Sequence, residues 1–351
     1  MPRGLTADDL EAALIGGLVL SAGGSGKGFL ARGRALGRMA LDYGRVRLVG
    51  LDDVDPDAAI IIATAVGAPG IAGPRILPRD AIDAARRLIA VIDAKPGAVI
   101  CGHVPGLNAW LVAAALGIDL LDAASNGRGH PTVKMGGMGL ASRPEVSIAQ
   151  VACSAESRLS VIAEGDIVRT SNIMRQAAVA NAGLIYAARG PLKAAFVREN
   201  GAVGAISFQL ALGRAMLGAG GAKRVEAAVQ FLGGCLLLSG QVAHNSVAYE
   251  GGFDLGRIVV RGKGGEAVLG IYNEYMTAEI DGRRVATFPD LIGTLDPATG
   301  EPVAIAELPP GSPVAVIIAD RSKFPLGKGA LDPAVFGEVE AAMGADLLSY
   351  L

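Results

Sequence analysis

The amino-acid sequence predicts an α/β protein built from two parts. Its 351 residues exceed the size of one ordinary core. Apolar runs of strand length alternate with helical patterns up to about residue 122, which is typical of a layered α/β domain with a largely parallel sheet. From Cys235 onward, short apolar runs separated by turn signals predict a β-rich α+β domain instead. We place the boundary near residue 165, which divides the chain into 1–165 and 166–351.

The first elements are two helices separated by a glycine-rich segment. Thr6 and Asp9 have the spacing of a capping box, with Asp in the place of the usual Glu. Leucines then recur at helical spacing over 10–18, and the helix is expected to end in 21–26. A second helix is predicted over 28–43.

The next elements predict the parallel sheet and its ligand-binding edge. Strands are predicted over 46–51, 59–66, 98–101 and 120–122, with helices over 78–93 and 108–116. In such sheets, ligands bind outside the carboxyl ends of the strands. Four glycine-containing loops should therefore converge on one cleft, namely 21–28, 67–73, 102–108 and 123–140.

The later elements predict a change of architecture. Residues 146–163 have the pattern of strand, loop and strand, and helices are predicted over 171–188 and 205–217. Short strands follow over 258–261, 267–272, 277–280, 285–288 and 314–318. Turn signals at 263–265 and 281–282 separate several of them.

Composition excludes several classes of protein. The net charge is −2, and the sequence shows no basic patch of the kind that binds nucleic acid. Three separated cysteines, Cys101, Cys153 and Cys235, form neither a disulfide framework nor a zinc pattern and favour a reducing compartment. No signal-peptide pattern and no apolar run of about 18 residues occur, so we expect a cytoplasmic protein without a membrane span. Segments rich in Ala and Gly are compatible with a homo-oligomer.

Several motifs together resemble one known family. In the first half these are Ala22-Gly23-Gly24-Ser25-Gly26, Pro105-Gly106-Leu107-Asn108 and Gly127-Arg128-Gly129-His130-Pro131. In the second half they are the segments 251–257, Asn273-Glu274 and 288–292. Their order and spacing resemble the S-methyl-thiohydantoin desulfurase family over almost the whole chain. The resemblance implies a fold with a cleft in the N-terminal half and a small cyclic amide, such as a hydantoin or thiohydantoin, as substrate. It also implies a relation to hydantoinase and oxoprolinase systems, with a hydantoinase-type protein as a partner to consider.

This sequence departs from the family pattern at four positions. His103 and His130 stand where the family carries Glu and an aromatic residue, while Ala124 and Thr132 replace acidic residues. Asp122 matches the first Asp of the family's acidic segment. The expected cleft therefore lacks acidic groups that the family carries and contains two imidazoles.

The candidate catalytic residues are His103, His130, Asp122 and Arg128. Imidazole suits general acid–base catalysis near neutral pH, and Asp122 would orient one ring or accept a proton. Arg128, between two glycines, would clamp a carboxylate or polarise a carbonyl. The alternatives are structural, hydrogen-bonded histidines and a structural ion pair. No set of metal ligands is complete, and no pattern specifies a cofactor.

The candidate substrate-binding residues are Gly23, Gly24, Ser25, Gly26 and Asn108. The glycine segment follows a helix and lacks the hydroxyl of a P-loop, so it predicts either a nest of backbone N–H groups or a tight turn. Asn108 would cap the helix that it begins, bind substrate, or both.

The sequence leaves alternative functions open. The loss of acidic residues favours a non-catalytic accessory subunit or a protein that only binds a small ligand. A nucleotide-binding oxidoreductase would use Asp52 or Asp53 at a strand end, although the glycine segment is misplaced for it. A nucleophilic Cys101 beside His103 is a further alternative. The direction of the two histidine side chains separates the enzyme from the accessory protein.

Overall fold

The computed structural model describes residues 2–71 and 73–351 and confirms the predicted α/β class. The first sheet and its helices comprise β1 (Arg3–Gly4), α1 (Ala7–Leu20), α2 (Leu30–Tyr43), β2 (Arg47–Val49), β3 (Ala59–Gly67), α3 (Pro78–Ile92), β4 (Ala98–Cys101), α4 (Leu107–Leu116), β5 (Asp119–Ala124), β6 (Ile148–Ser154), β7 (Leu159–Gly165), α5 (Ile167–Ala180), β8 (Leu184–Lys193), α6 (Ala194–Asn200), β9 (Ala202–Val203), α7 (Ala205–Ala219) and α8 (Lys223–Leu232). The second sheet comprises β10 (Cys235–Asn245), β11 (Ala248–Glu250), β12 (Phe253–Gly262), β13 (Gly265–Tyr272), β14 (Glu274–Ile280), β15 (Arg283–Thr287), β16 (Leu291–Leu295) and β17 (Pro313–Ala319), and α9 (Gly337–Met343) follows it.

The first sheet is mixed. Its strand order is β1-β2-β5-β4-β3-β8-β6-β7, and β9 pairs with β5. Strands β2, β5, β4 and β3 are parallel, whereas β8, β6 and β7 extend the sheet in antiparallel pairs. Parallel pairing is thus confined to the region where strands alternate with helices along the chain.

Strand β8 corrects one predicted element. The helix predicted over 171–188 ends at Ala180, and the chain turns through Gly183, whose φ is +94°. The following apolar residues form a strand because they pair with both β3 and β6 in the middle of the sheet. This strand belongs to the first sheet although it follows residue 165, so the domain boundary placed there stays a prediction.

The second sheet is antiparallel in the order β15-β14-β13-β12-β10-β17-β16, with β11 paired to β12. Helix α1 packs against α7 and also contacts β16, which brings the two sheets together. The predicted capping box of α1 is confirmed. Thr6 Oγ1 accepts from the Asp9 N–H at 3.2 Å, and the Asp9 carboxylate accepts from the Thr6 N–H at 3.0 Å. In the described part of the chain, no helix combines the length and the apolar character needed to cross a bilayer.

Candidate functional site

A cavity of about 220 Å³ lies at the carboxyl ends of β3 and β4. All four predicted cleft loops contribute to its wall, including Gly24 and Ser25 after α1, Gly67 after β3, and His103 after β4. Residues Asn273 and Glu274 from the second sheet complete the wall. The cavity is therefore built by both halves of the chain.

His103 and His130 both line this cavity and are half-buried. His103 Nδ1 lies 3.3 Å from Thr64 Oγ1, and His130 Nδ1 lies 3.3 Å from the Arg128 carbonyl oxygen. Because a carbonyl only accepts, the His130 proton belongs on Nδ1 and leaves Nε2 as an acceptor. Burial lowers the pKa of His103 to about 4 and that of His130 to about 3, and the charge of Arg189 adds to both shifts. Both rings are consequently neutral near pH 7.

Arg189 also lines the cavity, although it was not among the site residues predicted from the sequence. It lies on β8 and is 2% exposed, and its Nη2 donates to Ser125 Oγ at 3.1 Å and to the Gly136 carbonyl at 2.7 Å. Its Nε has no hydrogen-bond partner, and among the described residues no carboxylate forms an ion pair with it. Burial lowers its pKa to about 10, so the guanidinium stays charged at pH 7.

Glu274 contributes the carboxyl group of the cavity wall. It is 9% exposed, and its Oε2 is buried without a hydrogen-bond partner. Burial raises the pKa of Glu274 to about 8, although the charges of Arg128 and Arg175 oppose that shift. The group is thus mainly protonated at pH 7 and can exchange a proton near neutral pH.

Asn108 presents a free amide to the same cavity. It is the second residue of α4, and Gly106 is the N-cap, so Asn108 does not cap the helix. The side chain is 3% exposed, and its Nδ2 has no hydrogen-bond partner. A buried amide donor without a partner is suited to a carbonyl oxygen of a ligand.

The glycine segment has two separate roles. Gly24 and Ser25 line the cavity, whereas Gly23 and Gly26 fit tightly against the second half of the chain. Gly23 has a φ of +87°, and a Cβ there would lie 2.4 Å from the ring of Tyr275. The Gly23 carbonyl also accepts from the Ile305 N–H at 2.9 Å. The segment therefore joins the two halves and leaves only part of its backbone for a ligand.

Asp122 and Arg128 lie outside the cavity wall. The Asp122 carboxylate accepts from the Ile206 N–H at 3.1 Å and from the Ser207 N–H at 3.0 Å, which caps helix α7. Arg128 is fully buried and donates to the backbone carbonyls of Asp290 at 2.6 Å and Tyr275 at 3.0 Å. Their hydrogen bonds hold the fold together, and neither group is placed for the role that the sequence predicted.

The residues of the alternative functions also lie elsewhere. Burial raises the pKa of Cys101 to about 12, and its thiol donates to the Gly106 carbonyl at 3.5 Å. Asp52 pairs with Arg198, and Asp53 accepts from the Gly50 N–H at 3.0 Å. None of these three lines the cavity. Over residues 2–71 and 73–351, no three His, Cys, Asp or Glu side chains are grouped to hold a metal ion.

The cavity therefore combines complementary chemical groups. Two neutral imidazoles, the protonated carboxyl group of Glu274 and the N–H donors of Asn108 and Arg189 line the same cavity. Such donors stabilise negative charge on oxygen or nitrogen more strongly in a buried site than in water.

Comparisons with known proteins agree with this architecture. A family model described as the S-Me-THD-like N-terminal domain matches residues 8–165, and one described as the S-Me-THD-like C-terminal domain matches residues 165–341. The X-ray structure of a protein from Chromobacterium violaceum is similar in fold, with a TM-score of 0.69 and 22% identity, and covers 98% of this chain and 96% of that chain. No curated protein matches the sequence significantly. Because the two family models together span almost the whole chain, the protein belongs to the S-Me-THD-like family.

Proposed function

We propose that the protein is a hydrolase or desulfurase that acts on a small cyclic amide, such as a thiohydantoin or hydantoin. The observation that carries the proposal is one small cavity lined by two neutral imidazoles, a protonatable Glu274 and free N–H donors. Its volume of about 220 Å³ lies below the roughly 300–1,000 Å³ of drug-sized sites and suits a small ring.

The groups support a hydrolytic step. An imidazole Nε2 accepts a proton from water while the water oxygen bonds to the ring carbon that carries the S-methyl group. The charge that develops on the ring is stabilised by Arg189 and Asn108. The C–S bond then breaks while Glu274 protonates the departing thiolate. The hydroxyl proton passes to the ring nitrogen, which leaves a ring carbonyl beside an N–H, and the proton held by the imidazole returns to the Glu274 carboxylate. With a hydantoin, the same groups would serve opening of the ring at a C–N bond.

His130 is the preferred base. Its Nδ1 proton is committed to the Arg128 carbonyl, so the lone pair of Nε2 is free. The free lone pair lies beside Gly136, since a Cβ at that position would lie 2.1 Å from Nε2. The Gly136 carbonyl also accepts from Arg189 Nη2, so His130 and the Arg189 guanidinium lie on either side of the same residue.

Turnover of S-methyl-thiohydantoin, thiohydantoin, hydantoin and oxoproline tests the proposal, with the native chain compared with His130→Ala. We expect turnover of at least one compound and a loss of roughly 10²- to 10⁴-fold in the variant, with binding retained. His244→Ala is the matched control, because His244 is exposed on β10. Binding without turnover in the native chain would favour a non-catalytic ligand-binding or accessory protein, and neither binding nor turnover would refute the cyclic-amide proposal.

A further inference from the structure

Thr64 contacts the ring of His103 from the neighbouring strand. It lies near the end of β3, is 5% exposed and lines the cavity. Its Oγ1 lies 3.3 Å from His103 Nδ1, and in the described part of the chain the ring has no other side-chain partner. Gly102 allows this approach, because a Cβ there would lie 2.4 Å from the Cβ of Thr64. The contact therefore depends on a close fit of β3 against the loop that follows β4.

The hydrogen bonds of Thr64 favour one tautomer of His103. A hydroxyl has one proton to donate and can also accept, and Thr64 Oγ1 donates to the Ala65 carbonyl at 3.3 Å. The carbonyl only accepts, so this proton is not available to the imidazole. Oγ1 then accepts from His103, which places the imidazole proton on Nδ1 and leaves a lone pair on Nε2. The opposite arrangement would satisfy only one of the two contacts.

Both histidines of the cavity then present an Nε2 without a proton. His130 donates its Nδ1 proton to the Arg128 carbonyl, and both rings are neutral near pH 7 because burial lowers the pKa of each. Asn108 Nδ2 and Arg189 Nε are donors without a partner. The wall thus offers acceptors and donors, and a cyclic amide carries the complementary N–H and C=O groups on one ring.

We propose that Thr64 is a positioning residue that keeps the proton of His103 on Nδ1, so that His103 Nε2 accepts a hydrogen bond from an N–H group of the substrate ring. This inference rests on the proposed function, because it places the cyclic amide in this cavity with His130 as the base. The two imidazoles then have separate tasks, since His130 activates water and His103 orients the ring. A ring that carries a methyl group on that nitrogen cannot donate, and it leaves Nε2 without a partner.

Nitrogen-15 NMR of the histidine-labelled chain tests the tautomer directly. The sequence contains three histidines, and the spectra of His130→Ala and His244→Ala assign them. In the native chain near pH 7, without ligand, we expect His103 to carry its proton on Nδ1. Thr64→Ser retains the hydroxyl and should preserve this tautomer, whereas Thr64→Val retains the shape and should allow Nε2 to carry the proton. A proton on His103 Nε2 in the native chain, or an unchanged tautomer in Thr64→Val, would overturn the role of Thr64.

Calorimetric binding of hydantoin and of its 1-methyl and 3-methyl derivatives tests the hydrogen bond to the ring. We expect the native chain to bind at least one derivative roughly 10- to 100-fold more weakly than hydantoin, the range for one lost hydrogen bond. Thr64→Ser should keep this preference, and Thr64→Val should remove most of it by weakening the binding of hydantoin. The bulk of the methyl group is the same in every chain, so the comparison across variants isolates the hydrogen bond. Equal affinities in the native chain, or the same preference in Thr64→Val, would contradict the inference.

The two proposals fail in different ways. A native chain that binds and turns over no ring would refute the proposed function and the ring contact with it, while the spectrum still decides the role of Thr64. A native chain that turns over a ring with the His103 proton on Nε2 would retain the enzyme and refute this inference.

Discussion

Replacing Glu274 with Gln should stabilise the protein at neutral pH and reduce its activity. Burial raises the pKa of Glu274 from 4.5 to about 8, so the folded protein keeps this group protonated at pH 7 while the unfolded chain ionises it. The folded state then binds more protons than the unfolded state, and stability falls as pH rises from about 4.5 to about 8. At pH 7 the solution lies about 2.5 pH units above the ordinary pKa of 4.5. At roughly 1.4 kcal/mol per unit, keeping Glu274 protonated lowers the free energy of unfolding by about 3 kcal/mol.

Gln is neutral at every pH and avoids this cost. Urea unfolding of the native chain and Glu274→Gln should therefore give similar free energies of unfolding near pH 4.5 and a gap that widens to about 3 kcal/mol at pH 7. Glu250→Gln is the control, because Glu250 is exposed. The difference in free energy of unfolding between this variant and the native chain should not widen with pH in this way. A constant gap for Glu274→Gln would show that Arg128 and Arg175 keep the carboxylate ionised, which would refute Glu274 as proton donor. In the native chain, kcat/KM should fall above about pH 8, and the variant should lack that fall.

Three further predictions concern the cavity and its supports. Because burial lowers the pKa of His103 to about 4 and that of His130 to about 3, turnover should not fall between pH 7 and pH 5; a fall centred near 6.5 in the pH–rate profile would contradict this. Asp122→Ala should lower the free energy of unfolding by roughly 1–3 kcal/mol in urea titrations, since it removes the cap of α7, while KM stays unchanged. Gly136→Ala should lower kcat at least tenfold by displacing the His130 ring, which steady-state kinetics would show; unchanged kcat would argue against His130 as base.

Local sequence patterns predicted much of the fold because local physics determines those elements. The Thr6 and Asp9 box begins α1 as predicted, and the helices over 78–93 and 205–217 coincide closely with α3 and α7. Strand β8 was missed although Asn181 and Gly183 interrupt the pattern before it, because the apolar and alanine-rich residues on either side of them resemble one continuous buried helix. Only its pairing with β3 and β6, which no local pattern encodes, decides its structure.

The same limit explains which site residues the sequence could identify. His103 and Asn108 follow strand β4 directly, so topology alone places them at the cleft. Arg128 lies in an adjacent loop, but side-chain direction is set by the carbonyls that it meets, and those belong to the second half of the chain.

Glu274 and Arg189 give the cavity ionisable groups even though acidic residues expected in the first half are absent. The family resemblance implies acidic residues at the positions of Ala124 and Thr132, yet the second sheet places a carboxyl group in the cavity wall and β8 places a buried cation there. Both residues follow position 165 in the chain, and only tertiary structure brings them to the loops of the first half. It follows that neither half contains the complete set of groups. Any activity of this cavity therefore depends on the docking of the two halves through contacts such as that between Gly23 and Tyr275.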